Sequence, residues 1–186
     1  MLEPVLITER LELHHISIQG IIDLLEEKRD VAAIAGRDIR NPYRVLIDSP
    51  GPLSWRVPQV KGNPAVNKWF VRFIVAKDSR EIIGSTSFHG SPDHQGMIEI
   101  GLGIEEPFQN QGFAKESLLG MWRWATTFPE VRTLRYTVSP DNLPSISVIR
   151  HFGFDFKGQQ LDEIDGPENI YEMSSEVFKS RWGVNQ

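Results

Sequence analysis

The stretch Gln109-Asn110-Gln111-Gly112-Phe113-Ala114 has the composition of an anion-binding loop. It follows an alternating apolar segment and precedes an amphipathic one, the places of a strand and a helix. A glycine at 112 lets backbone come close to a ligand, and the small Ala114 keeps the helix start uncrowded. The first N–H groups of a helix have no partner within it, so they favour an anion such as pyrophosphate. A tight turn with a helix cap would look alike, and the loop by itself leaves both readings open. Upstream, Glu99 is a candidate carboxylate base. Strand alternation over 96–104 puts Ile98, Ile100, Leu102 and Ile104 on one face, and Met97, Glu99, Gly101 and Gly103 on the other. Glu99 thus shares its face with two glycines, over which a ligand or backbone can approach. The alternative is a surface glutamate on a half-exposed strand. Downstream, Asn142-Leu143-Pro144-Ser145 offers an amide and a hydroxyl at a helix start. Simple capping also accounts for this pair, with Pro144 suited to the first turn.

The elements that must position these groups follow from periodicity. Residues 5–14 alternate and read as a first strand, and 17–27 as a helix with Ser17 as N-cap. Residues 30–35 are expected to continue it as a second short helix. Pro42, Pro50, Pro52, Pro58 and Pro64 mark 42–64 as mostly loop, long enough to cover a ligand. Strands are expected at 68–76, 81–88 and 96–104, with polar turns at 77–80 and 90–95, as an antiparallel meander. A helix at 112–127 carries Ala114, Leu118, Leu119, Trp122 and Ala125 on one face. A strand at 133–138, a helix at 143–152, a strand at 154–160 and a last strand at 170–178 complete the order. Strand-helix-strand-helix-strand after residue 96 requires at least one parallel crossover.

Composition narrows the classes. The chain has 186 residues, 40% hydrophobic and 24% charged, which suits one ordinary globular domain. No apolar run reaches membrane-spanning length and the start has no signal-peptide pattern, so a cytoplasmic location without membrane contact is expected. Cys is absent, which excludes disulfides, thiolate metal sites and a cysteine acyl-enzyme. The net charge of −5 argues against nucleic acid as a partner. Residues 36–80 are nonetheless net basic between net acidic flanks; a solvated loop surface and proximity to an anionic ligand both explain this. His14, His15, His89, His94 and His151 lack ligand spacing, so no metal site is expected, and the adjacent pair is read as a strand end. Trp122 and Trp124 are assigned to helix packing. Trp55 and Trp69 flank the proline-rich stretch and are assigned to the core ahead of an acceptor pocket.

Taken in order, a strand, Q-x-x-G-x-A, a long helix, a strand, N-x-x-S, a helix and G-F resemble the GNAT acyltransferase superfamily. Within it they resemble the ribosomal-protein N-terminal acetyltransferase (RimJ/RimL-like) branch. The residues that carry the resemblance are Thr8-Glu9-Arg10-Leu11-Glu12-Leu13, Ile83-Gly84, Ile98-Glu99-Ile100-Gly101, then Gln109, Gly112, Ala114, Asn142-Leu143-Pro144-Ser145 and Phe152-Gly153-Phe154. It covers nearly all of the chain except about 36–67, a variable Pro-rich insertion in a single domain over 1–186. The resemblance implies an α/β (α+β) fold. Its mixed, mostly antiparallel central sheet has helices on both faces and is splayed between the strands at about 96–104 and 133–138. It implies acetyl-CoA as co-substrate, with the pyrophosphate on the amides of Gln109, Asn110, Gln111, Gly112, Phe113 and Ala114. The pantetheine would pair with backbone at Gly101, Leu102, Gly103 and Ile104. Glu99 would be the base in the catalytic pair, Asn142 would contact the pantetheine region, and Ser145 would donate to the thiolate or to an ordered water. Many members place a tyrosine acid four residues after the position of Ser145; here that residue is Ile149, which puts a tyrosine acid at that position in doubt.

The implied reaction is direct attack of a primary amine on the thioester in a ternary complex. Thiol pKa values near ~8.5 make the thiolate a tolerable leaving group, so a strong acid is not essential. The amine is the harder problem: an α-amino group at about 7.7–8.0 is partly neutral at pH 7, whereas a lysine near ~10.4 needs roughly three units of help. The resemblance implies a peptide N-terminus or a small-molecule amine as acceptor, and a homodimer is compatible with the family. Asp162, Glu163, Asp165 and Glu168 would attract a cationic amine or merely solvate a hairpin tip. A non-catalytic acetyl-CoA-binding module is the alternative of a different class.

Overall fold

Ser17 starts the first helix by the mechanism its type suggests. Its Oγ accepts from the Gly20 N–H at 3.0 Å, and α1 runs over Ile18–Glu26. The computed structural model describes residues 2–31, 38–162 and 166–183. The short helix expected at 30–35 therefore falls largely outside the described residues. Two compact units are distinguished: residues 1–89 with 102–120, and residues 90–101 with 121–186.

In the first unit, β1 (Leu6–Ile7), β2 (Leu11–His15), β3 (Arg72–Ala76) and β4 (Glu81–Phe88) follow one another in the sheet. The β1–β2, β2–β3 and β3–β4 pairs are antiparallel. The end of β5 (Met97–Ile104) lies next in order. The single strand expected over 5–14 is in fact two. The Thr8 N–H donates to the Leu11 carbonyl at 3.0 Å, and the Thr8 hydroxyl accepts from the Leu11 N–H at 3.1 Å, which closes a turn at 8–11. His14 and His15 end β2, as their reading as a strand end implied. The strand expected from residue 68 begins at Arg72, because Pro64–Trp69 forms a 3-10 helix capped by Asn63.

The proline-rich stretch also departs from expectation. Within it, α2 occupies Leu53–Gly62, with Pro58 inside the helix. Pro52 stands at the N-cap, where a missing N–H costs nothing, and only Pro58 removes a helical hydrogen bond. Leu53, Val57 and Val60 are almost fully buried, each contributing about 1.5–3 kcal/mol, which outweighs that loss. Trp69 is buried edge-to-face on Phe88, whereas Trp55 is 53% exposed and does not belong to the core.

In the second unit, the start of β5 pairs parallel with β6 (Thr133–Val138), giving the crossover expected from the element order. That pairing runs over Met97–Glu99 and Thr133–Arg135 only, the short register expected of a splayed pair. β6 continues antiparallel to β8 (Gly166–Ser174), and β8 pairs with β7 (Asp155–Asp162). The strand expected over 170–178 ends at Ser174, whose Oγ accepts from the Val177 N–H at 3.2 Å and starts α5 (Ser175–Trp182). Glu163 and Asp165 of the acidic cluster lie outside the described residues. Helix α3 (Phe113–Ala125) belongs to the first unit up to Gly120, and α4 (Leu143–Phe152) to the second. Trp122 packs against Phe152, Phe154 and Phe178 in the core of the second unit, and Trp124 against Phe128. The sheets are mixed and mostly antiparallel.

Candidate active site

Within the first unit, the end of β5 leads through a 3-10 turn at Glu106–Phe108 into the 109–114 loop and the start of α3. A Cβ added at Gly84 would fall 2.1 Å from the Gly103 carbonyl oxygen, so β4 must carry a glycine there. A Cβ added at Gly103 would meet nothing within 4 Å, so that side of β5 has room for a ligand. In the loop, Asn110 has φ 60° and Gly112 φ 84°, both in the left-handed region. Asparagine tolerates it through its short polar side chain and glycine through its missing Cβ. Gln109 Nε2 donates to the Ile104 carbonyl at 2.9 Å, and Gln111 Nε2 to the Pro107 carbonyl at 2.8 Å. Both glutamine side chains thus fold the loop onto itself and leave ligand contacts to backbone. The first bond of α3 is Glu116 N–H to the Gly112 carbonyl. The N–H groups of Gly112, Phe113, Ala114 and Lys115 have no acceptor among the described residues, and Gln111 and Gly112 are exposed.

Charged groups behind the loop were not singled out as site residues from sequence. Glu116 accepts from the Thr8 hydroxyl at 2.5 Å, the Arg10 N–H at 2.6 Å and Arg10 Nε at 2.7 Å. Burial alone would raise this carboxyl, but the Thr8 and Arg10 donors outweigh burial and hold it below its ordinary value. Arg10 also donates to the Gln111 carbonyl at 3.0 Å and lies 4.4 Å from the Phe113 ring centre.

In the second unit, half-buried Glu99 accepts from the Thr137 hydroxyl at 2.5 Å. Glu99 is in register with Arg135, whose Nε and NH2 groups both hold Glu172 Oε1, at 2.8 and 2.6 Å. Asn142 caps α4: its Oδ1 accepts from the Ser145 N–H at 3.1 Å. The Ser145 side chain lies close to the hydroxyl of Tyr136, which is 6% exposed. Burial raises the Tyr136 phenol above its ordinary value, against the opposing effect of Ser145, so the phenol keeps its proton. Ile149, at the position where the resemblance would place a tyrosine acid, is fully buried in the core. A buried phenol does lie beside Ser145, but from β6. Thr137 and Tyr136 are consecutive and point to opposite faces of that strand.

The sequence missed Tyr136, Thr137, Arg10 and Glu116. Alternation along 133–138 was visible and would have put Tyr136 on one face and Thr137 on the other. Which neighbour each would meet depends on the parallel register of β5 with β6.

Comparison with known proteins gives consistent findings. The family described as an acetyltransferase (GNAT) domain matches residues 52–155, more than half of the chain. An uncharacterized N-acetyltransferase, YjdG of Bacillus subtilis (strain 168), is 33% identical over 93 residues, covering 50% of this chain and 54% of the relative. The chain spans about half the length of the curated relatives it matches. Among solved structures, ribosomal-protein-S5-alanine acetyltransferase from Vibrio fischeri superposes with TM-score 0.66 at 14% identity, covering 97% of this chain and 99% of that one. RimL, a ribosomal L7/L12 alpha-N-protein acetyltransferase in complex with coenzyme A, superposes with TM-score 0.63 at 18% identity, covering 92% and 98%. These likenesses establish a shared fold.

Proposed function

The chain belongs to the GNAT acetyltransferase family, and we propose that it transfers acetyl from acetyl-CoA to a primary amine by direct attack within a ternary complex. The observation that carries this is the start of α3, where the N–H groups of Gly112, Phe113, Ala114 and Lys115 have no acceptor among the described residues. They suit a diphosphate, and Gly103 leaves room along β5 for an extended pantetheine to pair with backbone at 101–103. The Ile104 carbonyl already accepts from Gln109, so it is the least suited of the four strand residues. When bound, acetyl-CoA supplies an acyl group activated by a thiolate leaving group.

The side chains then take distinct parts. Glu99, its Oε1 fixed by Thr137, accepts the proton of the incoming ammonium directly or through one water. Ser145 donates to the departing sulfur. Tyr136, buried beside Ser145, keeps its phenol proton and borders the serine hydroxyl on the β6 side. Asn142 holds the helix start that carries Ser145. Backbone N–H groups of β5 stabilise the oxyanion. The whole of 1–186 acts as one acyltransferase domain in which 36–67 is a variable segment, and the RimJ/RimL-like resemblance favours a peptide N-terminus as acceptor over a small amine.

Thiol release from acetyl-CoA, measured against a panel of N-terminal peptides and small amines, tests the reading. Turnover is expected with at least one acceptor, and Glu99→Gln should lower it about a hundredfold at low pH with cofactor affinity retained. A wild-type pH–rate profile in that variant removes Glu99 as the base. Binding of acetyl-CoA without turnover on any amine would favour a non-catalytic binding module instead.

A further inference from the structure

Thr8, Glu9 and Arg10 carry part of the family resemblance, yet no step above uses them. We propose that Arg10 is a positioning residue for the cofactor loop, holding the Gln111 carbonyl so that the Gly112 N–H faces the diphosphate of acetyl-CoA. This rests on the reading of the 109–114 loop as the diphosphate site.

The reason lies in peptide geometry. The Gln111 carbonyl and the Gly112 N–H belong to one planar trans peptide and point in opposite directions. Fixing the carbonyl therefore aims the N–H. A flip of this peptide changes only ψ of Gln111 and φ of Gly112, and glycine accepts either sign of φ, so the loop itself does not choose between the two orientations. Arg10 does. NH1 holds the Gln111 carbonyl at 3.0 Å while Nε is anchored on Glu116 at 2.7 Å, so both arms of the planar fork are set by separate partners. The plane lies 4.4 Å from the Phe113 ring centre, and a Cβ at Gly112 would come to 3.4 Å of NH2. The anchor is itself firm: Glu116 has a side chain 13% exposed and also receives the Thr8 hydroxyl and the Arg10 N–H. The Thr8–Leu11 turn thereby links the β1–β2 hairpin to the loop. Arg10 also offsets the Glu116 carboxylate, which would otherwise set a bare negative charge in the first turn of α3, where the diphosphate is to bind.

Steady-state kinetics with two acyl donors test this. Arg10→Met should raise KM for acetyl-CoA about tenfold, the loss of one charge-assisted hydrogen bond, with kcat within about twofold. KM for S-acetylpantetheine, which has no phosphate, should not move. A merely structural defect would affect both donors alike. Arg10→Met also leaves Glu116 without its cation, so the double variant Arg10→Met/Glu116→Gln keeps a foldable protein under test and should show the same selective loss. A folded variant with wild-type KM for acetyl-CoA, or an equal loss with both donors, overturns the proposal and leaves the proposed function standing. A wild-type protein that binds neither acetyl-CoA nor CoA overturns both.

Discussion

Helices α3 and α4 both begin with a run of small and polar residues, yet their starts are built in opposite ways. At α4 the cap is local. Asn142 closes on the Ser145 N–H three residues along, Pro144 fits the first turn, and the backbone is satisfied by its own segment. At α3 the loop ahead carries two left-handed residues, and the first N–H groups have no acceptor among the described residues. Its shape is set by Arg10, a residue distant in sequence. A start that caps itself offers a ligand only its side chains, here the Ser145 hydroxyl. A start braced from outside offers its backbone. The α3 start is thus suited to a diphosphate, and the α4 start offers a single hydroxyl donor.

The sharpest way to break this contrast is to close the α3 start. Gly112→Val forces a β-branched residue to φ 84° beside Arg10, and acetyl-CoA affinity is expected to fall about a hundredfold while the protein stays folded, as calorimetric titration and thermal melting would show. Next in size is Ser145→Ala. It should lower kcat about tenfold with KM for acetyl-CoA unchanged, and the deficit should shrink for acetyl thioesters of more acidic thiols, which need less help in leaving. Asn142→Ala should act on the fold and leave cofactor affinity alone. Loss of the cap is expected to cost about 1 kcal/mol in a denaturant melt. If acetyl-CoA binding falls instead, Asn142 contacts the ligand and the two helix starts are less different than described.

The smallest effect concerns the brace. The Glu116 carboxyl is held below its ordinary value, so its ionised form contributes stability above the unfolded-state pKa. That contribution is lost as pH falls through the lower folded-state value. Glu116→Gln should therefore melt below wild type at neutral pH, with the gap closing in acid. A gap that stays constant with pH would remove the ion pair as its cause.

What could be read beforehand follows the same division. Ser17 and the strands at 81–88 and 133–138 were legible because capping and alternation act locally. A parallel crossover was implied by element order alone, whereas the register of β5 with β6 was not. The turn at Thr8 was missed because one side chain, in a stretch that alternates like a strand, redirects the chain. Helix α2 was missed because prolines outweighed a buried face that becomes visible only once Leu53, Val57 and Val60 are packed. At the site, the loop and Glu99 stood out by residue type. Tyr136 and Arg10 did not, since each meets a partner that only tertiary structure supplies: Ser145 for one, the Gln111 carbonyl and Glu116 for the other.

Cofactor binding as proposed depends on the amides at the start of α3, and a calorimetric titration with acetyl-CoA and S-acetylpantetheine probes them. Saturable binding of one equivalent of acetyl-CoA, at least about tenfold tighter than S-acetylpantetheine, is expected if the amides hold the diphosphate. Equal affinity for the two donors, or no saturable binding of acetyl-CoA, would contradict it.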